Sequence, residues 1–157
     1  MRVRQLNPYS ESEITLVAKR MRETLTEVLG EGKGEALYSM DWLLERVRWH
    51  LDPDNTNGRV FLTEDKTGNI TGHAIARIDK DSPFGYFSTI FVENEARRSG
   101  LATKLVEKVE AWFVESGMPE VVYNTADNHT AVIDLFRSHG YDITHSAGGM
   151  VQLTKVL

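Results

Sequence analysis

Between Arg97 and Thr103 the chain reads Arg97-Arg98-Ser99-Gly100-Leu101-Ala102-Thr103, which gathers two guanidinium groups, a glycine and a hydroxyl at Thr103. Ahead of it lies an apolar run, Gly85-Tyr86-Phe87-Ser88-Thr89-Ile90-Phe91-Val92, and then the polar bend Glu93-Asn94-Glu95-Ala96. Behind it Leu101, Leu105, Val106, Val109, Trp112 and Phe113 recur at helical spacing. The pattern predicts strand, tight loop and helix, with the loop at the helix N-terminus. There the first backbone N–H groups lack partners, the macrodipole is positive, and a glycine lets an anion come close to the main chain. This is a cradle for phosphate. Two arginines and Thr103 beside it suit a multiply phosphorylated ligand better than a lone carboxylate.

Other side chains offer less. The key strand, read by strict alternation, presents Tyr86, Ser88, Ile90 and Val92 on one face, with no carboxylate before Glu93. The histidines, His50, His73, His129, His139 and His145, show no metal-binding spacing and are expected in scattered surface or capping roles, so no metal is expected. The absence of cysteine excludes disulfides, thiolate zinc sites and thiol nucleophiles. A net charge of −5 argues against nucleic-acid binding, which needs a clustered basic face. No stretch approaches membrane-spanning length and no signal-like apolar block follows Met1-Arg2-Val3-Arg4, so a cytoplasmic protein that does not engage membranes is expected. A length of 157 residues with 41% hydrophobic and 26% charged residues predicts one globular domain, 1–157.

The elements that must position these groups follow from periodicity. Residues 2–6 predict a short strand around Val3, ended by Asn7-Pro8. Ser10 and Ser12 are candidate N-caps for a helix whose apolar stripe runs Ile14, Val17, Ala18, Met21, Leu25, Val28 and Leu29. The glycine-rich 30–34 interrupts it. A second helix with Leu37, Met40, Leu43, Leu44, Val47 and Leu51 on one side ends at Pro53. Strands at 59–64 and 70–78 lead into the key strand as an antiparallel meander. Ser116-Gly117-Met118-Pro119 stops the long helix; a strand at 121–125 then implies a right-handed crossover and parallel pairing. A helix from about 128 to 139 and short strands at 141–145 and 150–156 close the chain. Trp42, Trp49 and Trp112 fit apolar helix faces. If the strands ending at Val92 and Thr125 lie side by side but diverge, their free backbone groups can bind an extended ligand as an added strand.

The spacing Arg97-x-x-Gly100-x-Ala102 behind a strand resembles the acetyl-CoA loop, Arg/Gln-x-x-Gly-x-Gly/Ala, of the GCN5-related N-acetyltransferase (GNAT) family. About twenty-five residues on, Asn128-His129-Thr130-Ala131-Val132-Ile133-Asp134-Leu135-Phe136-Arg137-Ser138-His139-Gly140-Tyr141 resembles the family's Asn-x-x-Ala-x-x-x-Leu-Tyr-x-x-x-Gly-Phe segment. The two stretches cover 84–141; the first half is similar in element order only. The resemblance implies an α+β fold with a mixed, mostly antiparallel sheet flanked by helices, in the order β-α-α-β-β-β-α-β-α-β-β. It implies acetyl-CoA as cosubstrate and direct attack by a primary amine of an unidentified acceptor within a ternary complex; a homodimer is left open.

By the same resemblance, the main chain at Ile90 and Val92 would hold the pantetheine arm and polarise the thioester carbonyl. Arg97, Arg98, Ser99, Gly100, Leu101, Ala102 and Thr103 would hold the pyrophosphate, with Asn128 and Phe136 also against the cofactor. Asn128 equally fits an N-cap, and Phe136 and Tyr141 fit the core. Residues 31–38 would border the acceptor. Tyr86 and Ser88 are the catalytic candidates, positioning a water that carries the amine proton away. One departure is Phe136, where many members have a tyrosine credited with protonating the CoA sulfur; phenylalanine has no proton to give. Tyr123, Tyr141, water or slow catalysis remain open, with water or slow catalysis preferred. Two alternatives stand beside this: a CoA-binding module of the same fold with weak or no catalysis, and a doubly wound nucleotide-binding domain, although neither Gly-x-Gly-x-x-Gly nor Gly-Lys-Thr is present.

Overall fold

The computed structural model describes residues 2–30, 32, 38–93, 96–97 and 99–157. Strand β1 (Arg2–Gln5) leads to helix α1 (Glu11–Leu29), capped by Ser10, whose Oγ accepts from the Glu13 N–H at 3.3 Å. Ser12, the other candidate cap, only bonds the Ser10 hydroxyl. Helix α2 (Met40–Leu51) is capped by Ser39 accepting from the Trp42 N–H. Then come β2 (Asn57–Glu64), β3 (Ile70–Ile78), β4 (Gly85–Val92), α3 (Leu101–Glu115), β5 (Glu120–Ala126), α4 (Thr130–Ser138), β6 (Asp142–Ala147) and β7 (Met150–Val156). Helix α4 starts two residues later than expected, because Asp127-Asn128 form a turn. None of the described helices is long and apolar enough to cross a membrane.

The strands form one sheet in the order β1-β2-β3-β4-β5-β7-β6, antiparallel throughout except for β4–β5. The fold is α+β, as expected. A doubly wound nucleotide-binding sheet is overturned, since that architecture needs mostly parallel neighbours. Each sheet face buries its own core. Helices α3 and α4 cover one, with Leu105, Val109, Phe113, Phe87 and Phe136 inside; α1 and α2 cover the other, with Ile14, Val17, Leu43, Leu62 and Ile75. Each such side chain, fully buried, stabilises by about 1.5–3 kcal/mol.

Strand β4 is where the sheet changes character. Its partners on β3 run Ile75↔Thr89 and then Ala76↔Phe87, so Ser88 is the extra residue of a β-bulge. Before the bulge Phe87 packs into the α3 core; beyond it Ile90 and Val92 do. Strict alternation therefore fails: Ile90 and Val92 do not share a face with Tyr86 and Ser88, because one inserted residue moves every later side chain to the other face. Gly85 seats the start of the strand. A Cβ there would meet the Phe113 ring at 2.4 Å.

The parallel pairing of β4 with β5 lasts only three steps, Gly85↔Val121, Tyr86↔Val122 and Phe87↔Tyr123. Beyond it β5 stays paired with β7 up to Ala126↔Met150, and β4 stays with β3 up to Gly72↔Val92. The two strands part into a V whose inner backbone groups are left without a strand partner.

Candidate active site

The V opens toward the start of α3. Gly100 is the N-cap of α3 at φ +83°, a left-handed conformation that disfavours side chains with a Cβ, and among the described residues no side chain caps this helix. The first-turn N–H groups therefore have no capping partner among the described residues, and a Cβ on Gly100 would meet none of those residues within 4 Å. This open, positive helix end is built as a phosphate cradle should be. The residues around it act through the main chain more than expected. Leu101 and Ala102 direct their side chains to the core. Arg97 donates Nε–H to the Val92 carbonyl at 2.9 Å, closing the loop on the strand end. Ser99 bonds the Ala96 carbonyl, and Thr103 Oγ1 lies 3.3 Å from His139 Nε2. Arg98 lies outside the described residues, as does most of 31–38.

Two other cofactor candidates fall elsewhere. Asn128 does not cap α4; the N-cap is His129, whose ring pairs with Thr125 Oγ1 at 3.2 Å and makes no capping bond, and Asn128 Nδ2 donates to the Val28 carbonyl at 3.1 Å. Its amide thus ties the β5–α4 turn to the end of α1. Phe136 is 0% exposed, stacked on Tyr123 at 4.3 Å between centroids and edge-on to Phe87 and Tyr141. A ring so enclosed presents no atom to a ligand in this conformation.

On the α1/α2 side of the V a cavity of about 440 Å³ opens, with Tyr86, Ser88 and Tyr123 in its wall. The bulge aims Ser88 at His50 of α2, whose Nε2 lies 3.2 Å from Ser88 Oγ. His50 Nδ1 lies 2.8 Å from the Arg46 carbonyl, which can only accept, so the neutral ring carries its proton on Nδ1 and Nε2 accepts from Ser88. Burial holds the ring neutral, pushing His50 down to about 4, with the Arg46 and Arg77 charges adding to the effect. Ser88 Oγ accepts in turn from Arg77 Nη1 at 3.2 Å. Arg77 lies over the Tyr86 ring, and Tyr86 Oη accepts from Asn124 Nδ2. A hydroxyl between a neutral imidazole lone pair and a guanidinium can order a water or pass on a proton.

Tyr86 and Ser88 are thus brought together. Arg46, His50 and Arg77 were missed. The only signal in the sequence was His50 on the apolar stripe of α2, following Leu43 and Val47 at i, i+4 and i+7. The expected surface roles fail for His50 and His73, which are 2% and 0% exposed.

The fold is shared with known N-acetyltransferases. The structure superposes on the PaiA N-acetyltransferase of Thermoplasma acidophilum, solved with coenzyme A, over 100% of both chains with a TM-score of 0.78 at 12% identity. A ribosomal-protein-alanine N-acetyltransferase from Brucella melitensis matches over 100% of both chains at TM-score 0.74 and 15% identity. In sequence, the profile of the Acetyltransferase (GNAT) family matches residues 19–141, and the chain belongs to that family. Among curated relatives, the N-terminal acetyltransferase complex ARD1 subunit homolog of Dictyostelium discoideum is 36% identical over 56 residues, 35% of this chain and 28% of the relative. N-alpha-acetyltransferase daf-31 of Caenorhabditis elegans is 30% identical over 59 residues, 36% of this chain and 32% of the relative. The chain thus aligns with about a third of the length of these relatives.

Proposed function

We propose that this protein transfers acetyl from acetyl-CoA to a primary amine by direct attack in a ternary complex, in a cytoplasmic setting consistent with its lack of cysteine. The observation that carries it is the V between β4 and β5 opening onto the Gly100 helix start. An extended pantetheine arm fits the V as a short added strand, with the pyrophosphate on the α3 amides. Val92's carbonyl already accepts from Arg97, which leaves the main chain around Ile90 to hold the arm and polarise the thioester. The amine enters from the α1/α2 side. Its nitrogen bonds to the thioester carbon, the C–S bond breaks, CoA leaves as thiolate, and the extra amine proton passes to water held at Ser88. Donors aimed at the developing oxyanion supply the largest share of the rate enhancement.

Two measurements test this. Acetyl-CoA at about a hundred times its dissociation constant adds roughly 2.7 kcal/mol of stability, a clear melting shift, whereas NAD and ATP give far less. With a panel of amines, acetyl-CoA releases free thiol. No melting shift at millimolar acetyl-CoA overturns the proposal.

A further inference from the structure

The chain is acidic overall, with a net charge of −5, yet among the described residues the charged side chains in the wall of the cavity are Arg46 and Arg77. Both guanidiniums sit against one indole, 4.3 Å and 5.6 Å from the Trp49 ring centroid. Arg77 is partly satisfied: its Nε donates to both oxygens of Asp79, at 3.1 and 3.2 Å, and its Nη1 to Ser88. Asp79 is itself shared, accepting from Thr56 Oγ1 at 2.8 Å. Among the described residues no carboxylate pairs with Arg46, and its side chain makes no hydrogen bond; Trp49 holds it in place. Two like charges this close to one ring, with one shared carboxylate between them, leave the pocket electropositive. Burial, and then the Arg77 charge, lower the Arg46 pKa from its ordinary value, in agreement with that.

These arginines are misplaced for the phosphates of CoA. Tyr86, under Arg77, lies six residues before Val92 on β4, about 20 Å at ~3.3 Å per residue, and the helix start lies beyond Val92. They stand on the far side of Ser88, where an acceptor enters.

Resting on the transferase proposal above, we propose that the acceptor is a small amine that also carries an oxyanion, carboxylate or phosphate, bound by Arg46 and Arg77 while its amine lies at Ser88. A cavity of about 440 Å³ suits a small molecule. The free fork of Arg46 and the remaining Nη2 of Arg77 offer the paired donors that an oxyanion takes. A polyamine, by contrast, would bring its second cation against two guanidiniums.

Matched amines read this out: 4-aminobutyrate against putrescine for a carboxylate, phosphoethanolamine against ethanolamine for a phosphate. The anionic member of at least one pair is expected to show tenfold or higher kcat/KM, and which pair responds identifies the oxyanion. Arg46→Met keeps the stem on Trp49 and is expected to abolish the preference, Arg46→Lys to restore part of it, and CoA affinity to stay the same in both. Calorimetric titration of the same amines into CoA-saturated protein reads the preference without turnover. Absence of thiol release with every amine would overturn the transferase proposal alone. Equal binding within both pairs, or tighter binding of putrescine, would overturn this one.

Discussion

At the α3 end of the cleft, the described groups open to a ligand are mostly main chain, around Ile90 and from Gly100 to Thr103, whereas at the α2 end they are side chains of Arg46, His50, Arg77 and Ser88. The first end comes from one continuous stretch of chain, the end of β4 and the start of α3, the second from three elements, α2, β3 and β4, that meet only in the folded chain. The difference has consequences. A main-chain cradle depends on backbone conformation and on the one glycine that permits it, and it has nothing to titrate. A side-chain pocket depends on desolvation: burial sets the protonation of His50, and packing on Trp49 holds the arginines.

Acid is expected to separate the two most strongly. On the α1/α2 face burial pushes His50 down to about 4 and, with Arg20 adding to it, His73 down to about 3. In the unfolded chain both bind protons near pH 6.5. The folded state then binds fewer protons over that interval, so this stability is complete above about pH 6.5 and is lost as the pH falls toward 4. At pH 5 each histidine forfeits about 2 kcal/mol, or about 4 kcal/mol together. His129, also lowered by burial, acts in the same direction. The carboxylates that Arg4 holds down, Glu13 and Glu64, change stability only below their ordinary values near 4.5, outside this window. Denaturant unfolding at pH 7.5 and pH 5 measures the loss; equal stability at the two values would show that these rings are not held neutral.

The cradle is tested at Gly100. At φ +83° a valine is strained, by roughly 1–2 kcal/mol for the left-handed conformation alone, and its methyls would stand in the open space before the α3 amides. Gly100→Val is expected to weaken CoA binding ten- to a hundredfold by calorimetry, with the amine preference of the other end unchanged. Unaltered CoA affinity would show that the main chain at Gly100 does not hold phosphate.

The same contrast explains what could be read before the structure. Gly100 with Arg97 ahead of it and the helical stripe from Leu101 behind it is a local pattern, and each part keeps its meaning at short range. The element order was legible for the same reason, as caps and periodicity are local. The bulge at Ser88 was not, because Gly85–Val92 reads as one unbroken strand and contains no glycine or proline at the insertion. With the bulge unseen, Ile90 and Val92 fell on the wrong face. His50 and Arg77 are 27 residues apart in sequence and meet only because α2 lies over β3 and β4. Asn128 misled because a residue type that favours caps was followed by a better-placed start at His129.

The smallest effect is expected where the family pattern suggests the most chemistry, at the proton for the leaving sulfur. Phe136 has none to give and is sealed in the core. Tyr141 points to the opposite side of the sheet, donating to Glu110 Oε2 at 2.7 Å beside Lys155, and burial together with that carboxylate pushes its pKa up. Tyr123 does reach the cavity wall, but burial pushes it up to about 12, above the ordinary phenol. A thiol of pKa near 8.5 leaves acceptably as a thiolate. On the proposed mechanism the α3 end would then work with main chain alone, with water in place of an acid. Tyr123→Phe is expected to lower kcat by less than tenfold, against about 10²–10⁴ for a lost general acid. Tyr141→Phe should leave kcat unchanged and lower stability by about 1–3 kcal/mol, the range for a lost buried hydrogen bond to a charged group. A hundredfold loss in Tyr123→Phe, with CoA affinity and fold intact, would make Tyr123 the acid and give the α3 end a side chain on which its chemistry depends, erasing the contrast between the two ends.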